Sequence, residues 1–492
     1  MSDPRAPASP PTSWLLRASA TELLPALHSG ALSARELLHE VLRRADEITE
    51  TVNPFAVRLD EAALAAAAES DRRIALGRAR PLEGLPVSVK DSQWLAGVPT
   101  TSGSRARAGF VPTGTVGAVR RLLDAGAVVF AKTTTSEFCY TGTSHAPTFG
   151  TTANPHDLRR TAGGSSGGAA AQLAAWAGPV ALGGDGGGSI RIPAAFCGVV
   201  GHKPTFGAVS HEPSGPGWKS LVAVGPLTRT VADAALILDV LATPDPADRH
   251  AVALPHPPPG GVDEPVDEPV DEPLRVAVSE DLGFAPVDAE VRTAFRRAVD
   301  ALADAGVPLV EAAPELSSSV VTWATLATAE ARWAEAAEYE QRPDELSEQV
   351  RQYLAFGETI TTEQYIRAQF ERDRIHARYA EFFAEKRVSA LFTPTLGCVA
   401  FDGERAYPER IGGVAVDDLW RDWAPMLYDA NLAGLPACSV PIGRSTSTDS
   451  GTDPGGLPIG GQLLGPRLSD RRLLRLAAVL ERAVLPVPAR TV

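Results

Sequence analysis

The amino-acid sequence predicts an α/β fold in which helices cover both faces of a sheet. Short apolar runs at 86–90 and 127–132 are bounded by Gly, Pro or Asp, a pattern typical of buried strands. A stretch with helical apolar spacing, 116–125, lies between these two runs. Strands and helices that alternate along a chain favour an α/β architecture. The chain has 492 residues, 44% hydrophobic and 22% charged, and these proportions are ordinary for a globular enzyme.

Helix-start signals open the chain. Ser19 with Glu22, and Ser33 with Glu36, form the Ser-x-x-Glu pattern in which side chain and backbone cap each other at a helix N-terminus. A further Ala-rich helix is predicted at 61–78, where the pattern ends near a glycine. The first part of the chain is therefore predicted to be helical.

Composition divides the rest of the chain. Residues 1–13 are rich in Pro, Ser and Ala, and we expect a disordered tail there. We expect 14–78 to form a helical cap of the domain that continues through 79–492. Within that domain, 245–273 contains repeated Val-Asp-Glu-Pro units and is predicted to be a surface loop, and 315–386 is predicted to be an inserted helical layer. Further strands are predicted at 274–278 and 389–393, and further helices at 288–305 and 471–482.

Charge and termini restrict the expected partners. The formal net charge is −14, so we expect a small-molecule substrate, no nucleic acid and no membrane surface, and we allow for a homodimer. The N-terminus lacks the apolar core of a signal peptide, and no uncharged apolar run reaches the roughly 18 residues of a membrane span, so we expect a cytoplasmic protein. The cysteines are scattered singly, so we expect buried thiols, no disulfide, no metal site and no cofactor.

Lys90 closes the apolar run 86–90. Burial disfavours the ammonium form and lowers the pKa of a lysine, which would make this side chain a usable general base. An ion pair with the neighbouring Asp91 is the structural interpretation of the same lysine. From these two residues alone, both interpretations stay open.

Two segments, 161–168 (TAGGSSGG) and 183–191 (GGDGGGSIR), are dense in glycine and serine. Neither has the lysine that follows the glycines of a phosphate-binding loop. The first segment matches the Gly-x-Ser-x-Gly nucleophile elbow with Ser165 at its centre, but the polar stretch 154–160 before it does not read as the strand that an elbow needs. Plain glycine-rich turns are the alternative to a chemical role.

Ser189 follows an apolar, strand-like approach at 179–182 and a run of glycines at 186–188. Consecutive glycines can direct backbone N–H groups into one concavity, which would hold the oxyanion formed when a serine attacks a carbonyl. Asp185 and Arg191 are predicted to support this turn as a structural ion pair. Neither glycine-rich segment contains a histidine that could activate the serine.

Taken together, these segments resemble the amidase signature family. The serine-rich core of that family is similar to 163–170 joined to 183–193, and its lysine-bearing strand is similar to 85–91 (LPVSVKD). The resemblance spans roughly residues 20 to 485. Other matching segments are 149–155 (FGTTANP), 201–205 (GHKPT), 225–233 (GPLTRTVAD), 431–436 (NLAGLP) and 456–462 (GLPIGGQ). The resemblance implies an α/β/α sandwich around a large mixed sheet.

The resemblance also implies roles for individual residues. The family's lysine base falls on Lys90, its bridging serine, which follows a cis peptide, on Ser165, and its nucleophile on Ser189. The oxyanion would be held by backbone N–H groups of Gly186, Gly187, Gly188 and Ser189. The expected activity is hydrolysis of a small or medium neutral amide through an acyl-enzyme, and carbamates, esters or nylon-type oligomers would suit the same chemistry. The alternative is the glutaminase subunit of a tRNA-dependent amidotransferase.

Two departures from the family pattern concern the substrate. Many members have Thr where this chain has Gly186, so we expect extra space beside the oxyanion site. We further hypothesise that Trp94, Phe138 and Tyr140 form an apolar wall near the scissile bond, with core packing as the alternative role for each.

Overall fold

A large mixed β-sheet forms the centre of the protein in the computed structural model, which describes residues 13–213, 217–255, 274–416, 423–446 and 456–484. Among the described residues the sheet has eleven strands: β1 Phe55–Arg58, β2 Pro86–Lys90, β3 Val128–Thr133, β4 Val180–Asp185, β5 Val200–Lys203, β6 Ala223–Thr228, β7 Val276–Val278, β8 Leu309–Glu311, β9 Ala390–Pro394, β10 Ala437–Arg444 and β11 Pro458–Leu464. Their order across the sheet is β1-β3-β2-β4-β6-β5-β10-β11-β9-β7-β8.

The helices surround this sheet, and the predicted α/β fold with a large mixed sheet is confirmed. In the described ranges they are α1 Trp14–Arg17, α2 Ala20–His28, α3 Ala34–Val52, α4 Asp60–Ala75, α5 Gly117–Asp124, α6 Gly167–Ala174, α7 Arg191–Cys197, α8 Val231–Leu241, α9 Ala289–Asp304, α10 Val320–Ala334, α11 Ala336–Gln341, α12 Glu348–Glu358, α13 Thr362–Lys386, α14 Tyr428–Leu432 and α15 Asp470–Val484. None of these helices combines the length and apolar character that a membrane crossing requires.

Strand direction changes across the sheet. Strand β2 is parallel to β3 and β4 on its two sides, whereas β4, β6, β5, β10, β11 and β9 are successively antiparallel. Parallel pairing returns where β7 lies between β9 and β8. Because β2 and β4 run side by side in the same direction, their carboxyl ends, at Lys90 and Asp185, meet at one edge of the sheet.

The local signals in the sequence agree with the element boundaries. The side chain of Ser19 accepts from the backbone of Glu22, that of Ser33 from the backbone of Glu36, and both complete capping boxes. All the predicted strands and helices are present within about three residues at each end. A strand is also present before Ser165, where none was predicted. The predicted tail at 1–13, except Ser13, and most of the predicted loop at 245–273 lie outside the described residues.

Candidate active site

Lys90 is the last residue of β2 and is 1% exposed. Its Nζ lies 2.6 Å from Ser165 Oγ and 3.4 Å from the carbonyl oxygen of Gly184. Burial lowers the pKa of Lys90, because removal from water penalises the ammonium form. The neighbouring Asp91 pairs with Lys132 at 3.0 Å. The ion pair with Asp91 that the sequence left open therefore involves the other lysine, since successive side chains of a strand point to opposite faces.

Ser165 lies just before α6 and is fully buried. The peptide bond between Gly164 and Ser165 is cis, as the family resemblance implied. The backbone passes so close to Thr143 that a Cβ on Gly164 would lie 2.3 Å from its carbonyl oxygen, so glycine is required here. This close approach places Ser165 Oγ beside Lys90.

The segment before Ser165 differs from the expectation of a non-strand. Asp157–Thr161 is a strand, but it pairs with Ala153–Asn154 in a two-stranded hairpin outside the large sheet and bridges to Asp402 through Arg160. Its polar residues are accommodated because Arg159 is exposed and pairs with the buried carboxylate of Asp157 at 2.9 Å. A nucleophile elbow requires a strand of the central sheet, so the elbow interpretation still fails for Ser165.

Ser189 lies in the turn between β4 and α7, and Asp185 organises that turn. Its fully buried carboxylate accepts from the backbone N–H of Gly188 at 2.7 Å and of Ile190 at 3.2 Å. It also pairs with Arg191 at 3.0 Å, as the sequence predicted. Despite burial, Arg191 keeps the pKa of Asp185 far below its usual range, so the carboxylate stays ionised.

The backbone donors around Ser189 are fewer than expected. The N–H of Gly188 is directed to the Asp185 carboxylate, and we therefore remove it from the set of oxyanion donors. The physical cause is the buried, ionised carboxylate of Asp185, which takes this N–H as one of its hydrogen-bond donors. Gly186, Gly187 and Ser189 remain as candidate donors.

The space expected beside Gly186 is filled by an aromatic ring. A Cβ on Gly186 would lie 2.3 Å from Cε3 of Trp218, and one on Gly187 would lie 2.6 Å from Cζ2 of Trp323. The indole Nε1 of Trp323 donates to the carbonyl oxygen of Gly186 at 2.7 Å. The expectation of looseness at this position is therefore wrong, because two tryptophans from distant segments pack directly on the glycine turn.

A cavity opens beside these groups. Lys90, Ser165 and Ser189 all contribute to its lining. The three aromatic residues suggested as a wall line it as well: Trp94, Phe138 and Tyr140. The structure thus brings the candidate relay and the candidate wall into one space.

Several other residues of this cavity carried no motif signal in the sequence. Trp218, Cys139, Arg107 and Glu335 all contribute to its lining. Glu335, at the junction of α10 and α11, accepts from Tyr140 Oη at 3.1 Å and also pairs with Arg107. Burial raises the pKa of Glu335 to about 7. No local pattern could have revealed this cluster, because its members are separated by up to 228 residues.

Asn431 and Gln462 support the turn and were also missed by sequence reasoning. Asn431 Nδ2 donates to the carbonyl oxygen of Asp185 at 2.8 Å, and Arg191 donates to Asn431 Oδ1 and to Gln462 Oε1, each at 2.7 Å. Both residues lie in segments that carried the family resemblance, 431–436 and 456–462, and that was the available signal.

Comparisons with known proteins agree with this geometry. The family model described as Amidase matches residues 36–474. The putative amidase AmiA2 of Mycobacterium bovis is 36% identical, over 94% of this chain and 92% of that protein. A glutamyl-tRNA(Gln) amidotransferase subunit of Chloroflexus aggregans is also 36% identical, over 93% of this chain and 94% of that protein. A crystal structure of a bacterial aryl acylamidase superposes with a TM-score of 0.85 at 26% identity, covering 96% of this chain and 97% of the other.

The amidotransferase relatives correct the expected partners. We expected a small-molecule partner and no nucleic acid, yet these relatives are named as one subunit of an enzyme that is itself named for a tRNA. The inference failed because net charge describes one chain only, whereas in an assembly of several subunits another chain can carry the basic surface.

The family match covers most of the chain, and the relatives align over nearly their whole length. The chain therefore belongs to the amidase signature family, whose members are hydrolases that act on the carbon–nitrogen bonds of amides.

Proposed function

We propose that this amidase cleaves a small or medium amide through an acyl-enzyme on Ser189, with Ser165 and a neutral Lys90 as the proton relay, and that it works in the cytoplasm. The observation that carries the proposal is the 2.6 Å separation of Lys90 Nζ and Ser165 Oγ in the cavity that Ser189 also lines. Aliphatic hydroxyls are poor nucleophiles unless an adjacent base takes the proton.

The relay depends on an uncharged lysine. A neutral amine at Lys90 takes the proton of Ser165, which takes the proton of Ser189 as Ser189 Oγ attacks the carbonyl carbon. The N–H groups of Gly186, Gly187 and Ser189 stabilise the developing oxyanion. The relay then returns the proton to the departing nitrogen, the carbon–nitrogen bond breaks, and water hydrolyses the acyl-enzyme.

Variants of the two serines test this proposal. Amine release from a panel of amides would be measured with the purified chain, with Ser189→Ala and with Ser165→Ala. We expect Ser189→Ala to lower kcat by at least about 1,000-fold, since loss of a serine nucleophile removes the acyl-enzyme route. A Ser189→Ala protein that keeps near-normal turnover while Ser165→Ala is dead would exclude Ser189 as the nucleophile.

A second candidate is the glutaminase subunit of a tRNA-dependent amidotransferase. It is favoured by the amidotransferase relatives, which share 34–36% identity over 93–95% of this chain. The discriminating experiment measures ammonia release from glutamine by the chain alone and with partner subunits of such an enzyme. Glutaminase activity that appears only with the partners would support this candidate, and amide hydrolysis by the chain alone would support the first.

A further inference from the structure

Two cavities meet at Ser189. Besides the larger one, lined by Lys90 and Ser165, a smaller one also has Ser189 in its lining. Ser189, Tyr140 and Trp218 contribute to both linings. An amide bound across Ser189 therefore has its acyl part in one cavity and its amine part in the other.

The position of the proton relay distinguishes the two sides. Lys90 and Ser165 line the larger cavity and are absent from the lining of the smaller one. The departing nitrogen must receive its proton from this relay, so it must lie on the side of the larger cavity. Gly186 lines the larger cavity and Gly187 the smaller, which places these two candidate oxyanion donors at the junction where the carbonyl would bind.

The larger cavity is built for an aromatic group. The ring centroids of Phe138 and Tyr140 are 5.9 Å apart, and the Tyr140 and Trp218 rings stack with centroids 5.1 Å apart. Tyr140 also stacks on Tyr353, with centroids 4.8 Å apart, and Trp94 adds a further ring to the lining. These rings pack on one another and give the cavity an apolar, aromatic wall, on which a flat apolar group can pack.

Arg107, in the lining of the larger cavity, is held by carboxylates of the protein itself. Arg107 pairs with Glu335 and, at 2.9 Å, with Glu338, and its guanidinium lies 4.9 Å from the centroid of the Phe138 ring. Because Arg107 is already paired on two sides, it is not free to bind a carboxylate of the substrate.

The smaller cavity is crowded by large rings. Trp323, Trp423 and Tyr428 line it, and Trp323 stacks on Tyr428 with centroids 4.6 Å apart. Even a Cβ on Gly142 would lie 2.3 Å from Cζ2 of Trp423. This side therefore accommodates a compact acyl group.

We infer that the substrate is an N-acyl derivative of an aromatic or arylmethyl amine, with the aromatic amine in the larger cavity and a short acyl group in the smaller one. This inference rests on the proposed function of Ser189. The bond from Ser189 Oγ to the acyl carbon forms as the carbon–nitrogen bond breaks, and the serine proton passes through Ser165 to the nitrogen. The aromatic amine departs, and water releases the short carboxylic acid and restores Ser189.

Two isomeric amides test the orientation. N-benzylacetamide has the ring on the amine side, N-methyl-2-phenylacetamide has it on the acyl side, and both are alkyl amides of the same composition. We expect kcat/KM for N-benzylacetamide to exceed that for its isomer by at least about tenfold, because the misplaced ring must enter the crowded cavity. A ratio of one or below overturns the inference.

Two variants fill one cavity each. Val222 is half-buried and lines only the larger cavity, and Ala424 is buried and lines only the smaller one. Val222→Phe should lower the ratio of the two kcat/KM values and Ala424→Leu should raise it. Both substrates are measured on the same protein, so partial unfolding cancels from the ratio. Shifts in the opposite directions overturn the assignment of the two sides.

Labelling of Ser189 by a fluorophosphonate distinguishes a wrong substrate class from a wrong nucleophile. If Ser189 is labelled and neither isomer is hydrolysed, the substrate class is wrong while the proposed nucleophile stands. If Ser189 is not labelled and no amide is cleaved, the proposed function fails, and the inference fails with it.

Discussion

At the scale of single residues, Lys90 shows how position determines chemistry. The same side chain on the surface would be an ammonium ion at neutral pH, but at the end of β2 it is 1% exposed and burial lowers its pKa. Asp91, the adjacent residue, forms its ion pair with Lys132 instead. Lys90 is therefore not paired with Asp91, and its Nζ lies beside Ser165 Oγ.

Replacement of Lys90 tests the neutral-base role. Lys90→Ala should lower kcat by about 1,000-fold or more, and Lys90→Arg should not restore it, because a guanidinium stays protonated. In the wild type, kcat/KM should rise with pH through the lowered pKa of Lys90, since only the neutral amine accepts a proton. Steady-state kinetics across pH check both points, and an Arg variant within about tenfold of wild type would contradict the role.

At the scale of elements, helix α10 supports the glycine turn that carries Ser189. Trp323 of this helix donates to the carbonyl oxygen of Gly186, and its ring packs on Gly187. A helix far along the chain therefore holds the geometry of the candidate oxyanion donors.

Trp323→Phe should lower kcat about tenfold, because it leaves a buried carbonyl without its donor and loosens the turn. The matched control is Trp333→Phe on the same helix, where the side chain is 84% exposed and is not part of either cavity lining. Steady-state assays of both variants separate a local effect from a general effect of losing an indole. Equal losses in the two variants would contradict the support role of Trp323.

The elements also show how far sequence reasoning reaches. Lys90, Ser165 and Ser189 lie in short glycine-, serine- or valine-rich segments whose local spacing carries the signal, and the capping boxes at Ser19 and Ser33 are equally local. Trp218 and Trp323 come from distant segments, and their packing on the turn follows only from the tertiary fold. For that reason the expected space beside Gly186 does not exist.

At the scale of the whole molecule, helices α10–α13, which we propose form one inserted layer, are joined to the sheet domain by buried polar contacts. Glu335 meets Tyr140 and Arg107, and Tyr379 Oη donates to Asp429 Oδ2 at 2.8 Å. Such contacts between distant parts of the chain cannot be deduced from local patterns, although the helices themselves could be predicted.

Glu335 makes the free energy of unfolding depend on pH. Its pKa in the folded protein is about 7, above the ordinary value of 4.5, so the folded state prefers the protonated form. The stabilisation of the folded state that comes from protonated Glu335 is complete below about pH 4.5 and is lost as pH rises to about 7. The free energy of unfolding of wild type relative to Glu335→Gln should therefore fall by up to about 3 kcal/mol over this range. Denaturant titrations at several pH values measure it, and a difference independent of pH would contradict the account.

We propose above all that Ser189 is the nucleophile and that Lys90 activates it. The most direct measurement treats the pure protein with a fluorophosphonate probe and locates the adduct by peptide mass spectrometry. We expect a covalent adduct on Ser189 that is lost in Lys90→Ala. An adduct on Ser165 instead, or an adduct on Ser189 that forms equally fast in Lys90→Ala, would contradict it.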